Sequence, residues 1–392
     1  MNRSEQLKNR IEKRIRRDGI AGKKLNAAPI QADVRCISFY DYMEMCLYDQ
    51  EYGYYRSGAV RVGKSGDFYT SSAVGTIMGE KLAGFLTRLV DEYGGCADVG
   101  EWGAGTGRLS KQIIDIWEQE RPDWLSQLTY MVVDGSPVHL AEAERLFQES
   151  RFETQAKAEI RFMTPQEAEI EHWRDKPLII FANELLDAFP VHRLVLHEDQ
   201  LWEMAVTLSE EDSSRNGRPF QYAIVPLTNP ELEQSLAADG IKLAEGQEVE
   251  INLAAERWIK EMSARMSAGA LIIIDYGHEA DELAGPHRMK GTLLCYKDHI
   301  AHDDPFRFIG EQDITAHVNF MACRRAAEKS GWKVSYYQTQ KQFLIDQGVL
   351  DDLVDHDGSD PFSEAAKRNR SIRQLLWSDI MSEAFKVMIL QK

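Results

Sequence analysis

Between Ala97 and Gly107 the chain reads ADVGEWGAGTG: a short apolar strand, the acidic residue Glu101, then glycines at 103, 105 and 107 just before a helical stretch. No other segment restricts the fold as much. Glycine at those positions lets the backbone turn tightly and approach a ligand where a Cβ would be strained, and the helix N-terminus that follows offers its N–H groups to a polar ligand. Strand, glycine turn and helix in succession open a βαβ unit, the building block of a parallel sheet. A dinucleotide fingerprint would carry a further glycine three positions after the second. Here that position is Arg108.

The spacing Glu101-x-Gly103-x-Gly105-x-Gly107 is instead the form shared by enzymes that use S-adenosylmethionine. On this run alone, a plain tight turn or another nucleotide is an equal alternative. From Cys96 onward, short apolar segments near 96–102, 128–134, 158–163, 177–183, 269–276, 332–339 and 384–391 alternate with helical ones. That rhythm predicts a seven-stranded, doubly wound α/β sheet covered on both faces. At 392 residues the chain exceeds the usual single core of ~100–200 residues, so a large insertion or a second domain is expected. Residues 1–92 read as an N-terminal helical cap, with a helix capped at Ser38, and residues 93–392 as the sheet domain. Two insertions interrupt that domain. The first, at about 191–250, opens with alternating segments from Val191 to Val225 that predict antiparallel strands. The second, at about 278–319, is irregular and rich in Gly, Pro, His and Asp, the composition of a substrate-binding loop.

Composition narrows the partners. A net charge of −17 disfavours nucleic acid, because counterion release needs clustered Lys and Arg. Basic residues do cluster between Arg3 and Arg17, but Leu7, Ile11 and Ile15 are spaced by four, which predicts an amphipathic helix laid on the core. The apolar runs are strand-sized, so no membrane span is expected. Acids within the N-terminal stretch disfavour a transit peptide, and the chain is expected to be uncleaved. Five scattered cysteines without a C-x-x-C pair read as reduced thiols, which points to the cytoplasm.

Chemistry-bearing residues collect at strand tips. The second strand ends at Asp134, whose two oxygens suit the hydroxyls of a ribose, whether from S-adenosylmethionine or NAD; a helix N-cap is its structural alternative. The fourth runs from Leu178 straight into NELLDAFPVHR, placing Asn183, Glu184 and Asp187 beside the expected cofactor, and the fifth ends in Asp275 and Tyr276. Tyr276 and Trp102 could stack on a ligand or pack in the core. His299 is a candidate base, more simply a structural histidine. With His302, Asp303 and Asp304 it imitates a metal set, but an irregular loop supplies no register to converge them, and no metal is expected.

These blocks together resemble the MidA family of S-adenosylmethionine-dependent methyltransferases. The match runs through SFYDYMEMCLYDQEYGYY at Ser38, GDFYTS at Gly66, the glycine turn, VVDGSP at Val132, NELLDAFPVHR at Asn183, LIIIDYGH at Leu271, GTLLCYKDH at Gly291 and GEQDITAHVNF at Gly310. It departs at Ser72-Ala73, where the family continues with Pro-Glu, and in the turn, where Trp102 and Ala104 replace a Pro and a further Gly or Arg.

The resemblance implies a class I, Rossmann-like methyltransferase fold, S-adenosylmethionine as cofactor and a protein substrate methylated on arginine, with a homodimer allowed. It places the cofactor on Glu101, Gly103, Gly105, Gly107 and Asp134, with Asn183 near the methionine end and the loop residues Thr70 and Ser71 closing over it. A guanidinium is cationic at neutral pH and a poor nucleophile until carboxylates orient it. Glu184 and Asp187 are the candidates to receive it, with Asp67 and Asp275 behind them. Two rival functions stand beside this one: an assembly factor that binds S-adenosylmethionine with little turnover, and an NAD-dependent oxidoreductase, which Arg108 disfavours.

Overall fold

The computed structural model describes residues 2–25, 33–56, 76–120, 122–149, 158–170, 173, 175–209, 218–355, 360, 362–377 and 381–392. The chain divides into two compact units that interleave along the sequence: residues 1–59, 187–258 and 277–325 form one, and residues 60–186, 259–276 and 326–392 the other.

The second unit is built on seven strands: β1 (Asp98–Trp102), β2 (Thr129–Val133), β3 (Glu159–Met163), β4 (Leu178–Asn183), β5 (Gly269–His278), β6 (Lys333–Thr339) and β7 (Phe385–Gln391). All seven fall where the alternation of apolar segments predicts them. Their order across the sheet is 3-2-1-4-5-7-6. Strands β1 to β5 pair in parallel, whereas β7 runs antiparallel between β5 and β6. Inserting β7 in this way separates the sheet from the 3-2-1-4-5-6 order of dinucleotide-binding folds.

Both faces of this sheet are covered, which is why its strands are runs of apolar residues rather than alternations. Every residue of β4 is buried, as are Gly269 to Asp275 of β5. One face carries Val99, Tyr130, Val132, Ile179, Phe181, Ile272 and Ile274. Helices α1 (Ile77–Glu92), α2 (Arg108–Glu120) and α3 (Pro137–Glu149) pack into that core through residues at helical spacing, such as Leu109, Ile113 and Trp117. The intervening residues Met131, Val133, Ile180, Leu271 and Ile273 are buried as well.

The first unit departs from the expected helical cap. Strands 20–24 and 33–38 lie in one antiparallel sheet with 192–197, 200–208, 220–225 and 248–251. Strand 200–208 pairs with both 33–38 and 220–225, so four of the strands close on themselves. Residues 77–92, assigned above to the cap, belong to the sheet unit. The segments IAGKK and DVRCIS are short, and charged residues interrupt their apolar pattern; they pair with each other, but the strands on their outer sides lie over 160 residues away, which nothing local announces. The predicted antiparallel insertion is present, its hairpin closing at Glu198 and Asp199 with φ of 52° and 58°. The expected helix after Ser38 spans Phe39–Tyr48, and Ser38 Oγ accepts the Asp41 N–H at 3.0 Å.

The N-terminal helix Arg3–Asp18 buries Leu7, Ile11 and Ile15 in the first unit's core. Its basic face is largely satisfied by the chain's own acids: Arg10 on Asp49 at 2.8 Å and on Glu51, Arg14 on Asp18, and Arg16 on Glu12. No described helix is long and apolar enough to cross a membrane.

Candidate functional site

Parallel pairing brings the carboxyl ends of β1, β2, β4 and β5 side by side, with Trp102 opposite Val133 and Ala182, and Asn183 opposite Ile274. The strand order reverses between β1 and β4. Open α/β sheets bind ligands at that crevice.

The glycine turn leaves β1 with φ of 71°, 54° and 71° at Gly103, Gly105 and Gly107, all in the left-handed region that side chains resist. Two of the three are also constrained by crowding from the protein itself. A Cβ on Gly103 would lie 2.8 Å from Leu185 Cδ1, and one on Gly107 would lie 2.9 Å from Ala143 Cβ. Val133 O accepts from the N–H groups of Gly103 and Ala104, tying the turn to β2.

Asp134 closes this arrangement. Its Oδ2 accepts the Gly105 N–H at 2.8 Å, and its Oδ1 accepts the Ser136 N–H at 2.7 Å. His139, in the first turn of α3, sets its Nδ1 3.2 Å from the same Oδ1. The residue is 8% exposed; Oδ1 is shared by Ser136 and His139, and Oδ2 keeps a second lone-pair direction.

Glu101 is directed at α2. Its Oε2 accepts the Ser110 N–H at 3.0 Å and the Ser110 hydroxyl as well, and that hydroxyl in turn accepts from Tyr130 Oη at 3.0 Å. Burial pushes the Glu101 carboxyl up to about 8, against the pull of the Ser110 hydrogen bonds.

Past β4, Glu184 is the residue out of line. Its φ is 56°, a region that costs a non-glycine residue about 1–2 kcal/mol. Its N–H continues the ladder to Ile274 O at 2.8 Å, and its Oε1 accepts from Asn183 Nδ2 at 3.1 Å. Asp275, wholly buried at the end of β5, does not stand beside Glu184 as a second acid of the same kind. Its Oδ2 accepts the N–H groups of Leu185 and Leu186 at 3.2 and 2.8 Å, and its Oδ1 accepts that of Tyr276 at 2.9 Å.

The remaining candidates are placed elsewhere. Asp187 belongs to the first unit, where its carbonyl accepts the Ala316 N–H at 3.0 Å and its carboxylate helps raise the Tyr55 and Tyr296 hydroxyls above their ordinary values, after burial as the main cause. Asp67, Thr70 and Ser71 lie outside the described residues. His299 sits with Asp298 in the exposed turn between strands 294–297 and 300–302. No group of metal-ligating side chains converges among the described residues. Trp102 packs edge-on against Trp173 at 5.2 Å and Tyr276 against Phe385 at 5.4 Å, so both rings serve the core.

The sequence reading missed Ser110 and His139. Each lies on a helix following a strand tip, and only the helix register shows that it faces the strand's acid. It also missed His278 and His317, whose rings lie 5.4 Å apart in the first unit and of which burial holds His317 down to about 4.

A glycine turn whose geometry excludes side chains, with a carboxylate fixed at the neighbouring strand tip, fits an adenosyl ligand. Comparison with known proteins decides which one. The family model for S-adenosyl-L-methionine-dependent methyltransferases matches residues 82–338, from α1 to β6. The chain belongs to that family. It is therefore a methyltransferase that uses S-adenosylmethionine, as the resemblance implied.

A solved protein from Burkholderia thailandensis, described as a 'likely methyl transferase' bound to S-adenosyl-homocysteine, is similar over 100% of this chain and 92% of its own, with 28% identity and a TM-score of 0.84. A native structure of a protein of the same superfamily from that organism, 28% identical, has a TM-score of 0.81. Among curated proteins, the mitochondrial protein arginine methyltransferase NDUFAF7 homolog of Drosophila melanogaster is 25% identical over 318 residues, 74% of this chain and 66% of that protein. The human mitochondrial protein arginine methyltransferase NDUFAF7 is 25% identical over 338 residues, 80% of this chain and 70% of its own.

Proposed function

We propose that this methyltransferase acts on a protein and transfers its methyl group to an arginine guanidinium. The reading rests on the half-buried Glu184, whose carboxylate is held at the end of β4, beside the glycine turn's strand, by a backbone conformation a glutamate adopts only at a cost. An observed strain of this kind points to a function for the side chain that bears it. The curated relatives named as protein arginine methyltransferases support the same acceptor.

Bound S-adenosylmethionine supplies an electrophilic methyl carbon on a sulfonium. The residues of the chain provide position. Asp134, already fixed by Gly105, Ser136 and His139, would receive a ribose hydroxyl on the remaining lone pair of Oδ2. Gly105 would leave the turn open to the adenosyl group, and Asn183 would serve the methionine end. Glu101 acts one step behind, holding the start of α2 against β1 through Ser110.

Glu184 orients the guanidinium, localises a lone pair on the attacking nitrogen and takes up the proton that nitrogen sheds as the new N–C bond forms and the C–S electrons return to sulfur. Alignment of this kind supplies ~7–11 kcal/mol of barrier lowering in favourable cases.

The test is transfer of a labelled methyl group from S-adenosylmethionine into the proteins of a lysate from cells lacking this protein, followed by identification of the modified residue. Labelled methylarginine supports the reading. Label on another residue contradicts it, and no label in any protein would favour an assembly factor that binds the cofactor without turnover.

A further inference from the structure

We infer that Asp275 is a positioning residue for the methyl-transfer reaction, holding Glu184 in its left-handed conformation, and not an acid or base that touches the acceptor. The inference rests on the reading that Glu184 meets the acceptor. The geometry lies wholly within the sheet unit. The β4–β5 ladder ends at the Asn183–Ile274 pair, and the Glu184 N–H makes one more bond, to Ile274 O. At Glu184 the backbone then turns left-handed, and the next two N–H groups, of Leu185 and Leu186, swing to the same side. Successive N–H groups gathered in this manner form a concavity suited to an anion. The anion is supplied by the chain: Asp275 Oδ2 accepts both bonds, and Oδ1 is fixed by the Tyr276 N–H.

Three peptide donors thus converge on one carboxylate that is 0% exposed. A carboxylate so enclosed has three of its acceptor directions engaged by backbone, and hydrogen bonds to a charged acceptor are roughly twice as strong as neutral ones. Because Leu185 and Leu186 follow Glu184 directly, those bonds select the Glu184 backbone angle and with it the direction of its side chain. Glycine or asparagine would adopt that angle readily, but neither carries a carboxylate. The pairing of a strained Glu184 with an anion-filled turn keeps the carboxylate where an easier residue would lose it.

The experiment compares wild type, Asp275→Asn, Asp275→Ala, Glu184→Gln and the Asp275→Asn/Glu184→Gln double variant. Affinity for S-adenosyl-homocysteine is measured by calorimetry, and the rate by labelled methyl incorporation into lysate proteins. Asp275→Asn, which keeps one acceptor oxygen, should lose about tenfold in rate and Asp275→Ala more, with affinity within about threefold of wild type in both. In the Glu184→Gln background, Asp275→Asn should cost less than about twofold further, because the two residues act as one unit. Loss of rate and affinity in parallel would mark Asp275 as merely structural and overturn the inference. Additive losses in the double variant would make Asp275 an independent chemical group, also overturning it. If Glu184→Gln is impaired while Asp275→Asn is not, this inference alone fails. If Glu184→Gln turns over at the unmutated rate, the reading of Glu184 fails with it.

Discussion

The Asp134 carboxylate accepts the peptide N–H of Gly105 at 2.8 Å, joining the tip of β2 to the middle of the glycine turn that leaves β1. One side chain therefore both shapes the turn and presents an acceptor for a ribose hydroxyl. Asp134→Ala should weaken S-adenosyl-homocysteine binding by roughly ten- to a hundredfold, the range expected for hydrogen bonds to a charged group. Asp134→Asn should fall between that variant and wild type. Calorimetric titration checks both, and unchanged affinity in Asp134→Ala would remove Asp134 from the site.

His139 shares Asp134 Oδ1 with the Ser136 N–H and is almost fully buried. Removing that partner in His139→Phe should cost about 1 kcal/mol in ligand affinity, near fivefold, without abolishing binding. The same titration measures it.

Gly103 combines φ of 71° with a neighbour, Leu185 Cδ1, 2.8 Å from where a Cβ would stand. Gly103→Ala should lower stability by about 2–4 kcal/mol, the backbone term and the crowding adding together. Gly103→Ala/Leu185→Ala should recover part of the crowding cost and none of the backbone cost. Urea denaturation of the three proteins tests this.

Glu101 should make stability depend on pH. Its carboxyl titrates near 4.5 in the unfolded chain and near 8 in the folded one, so the folded state binds the proton more tightly. That contribution is fully present below 4.5 and is lost progressively as pH rises through about 8. Wild type should therefore lose more melting temperature between acid and alkaline pH than Glu101→Gln, whose amide does not titrate. Equal slopes for the two proteins would contradict the burial-driven shift.

Much of the sheet was legible because strands buried on both faces are continuous apolar runs, and LIIFAN and GALIIID are strand-length runs in a chain that alternates them with helical stretches. The glycine turn and Asp134 were legible for a different reason, since only glycines tolerate three left-handed angles in five residues. What the sequence hid was pairing at a distance. Strands 20–24 and 33–38 pair with each other but join the sheet through strands beginning at 220 and 200, and no local pattern reports that. The site shows the same limit. Asp275 announces a carboxylate but not that three backbone N–H groups enclose it, and Glu184 reads as an ordinary acid until its φ is known.

The most direct test of the account is methyl transfer by Glu184→Gln with S-adenosyl-homocysteine affinity measured on the same preparation. The account expects wild type to place label on arginine in a protein, and the variant to bind the ligand normally while losing about a hundredfold in rate, the size of a removed proton acceptor. A variant that binds normally and methylates at the wild-type rate would contradict it.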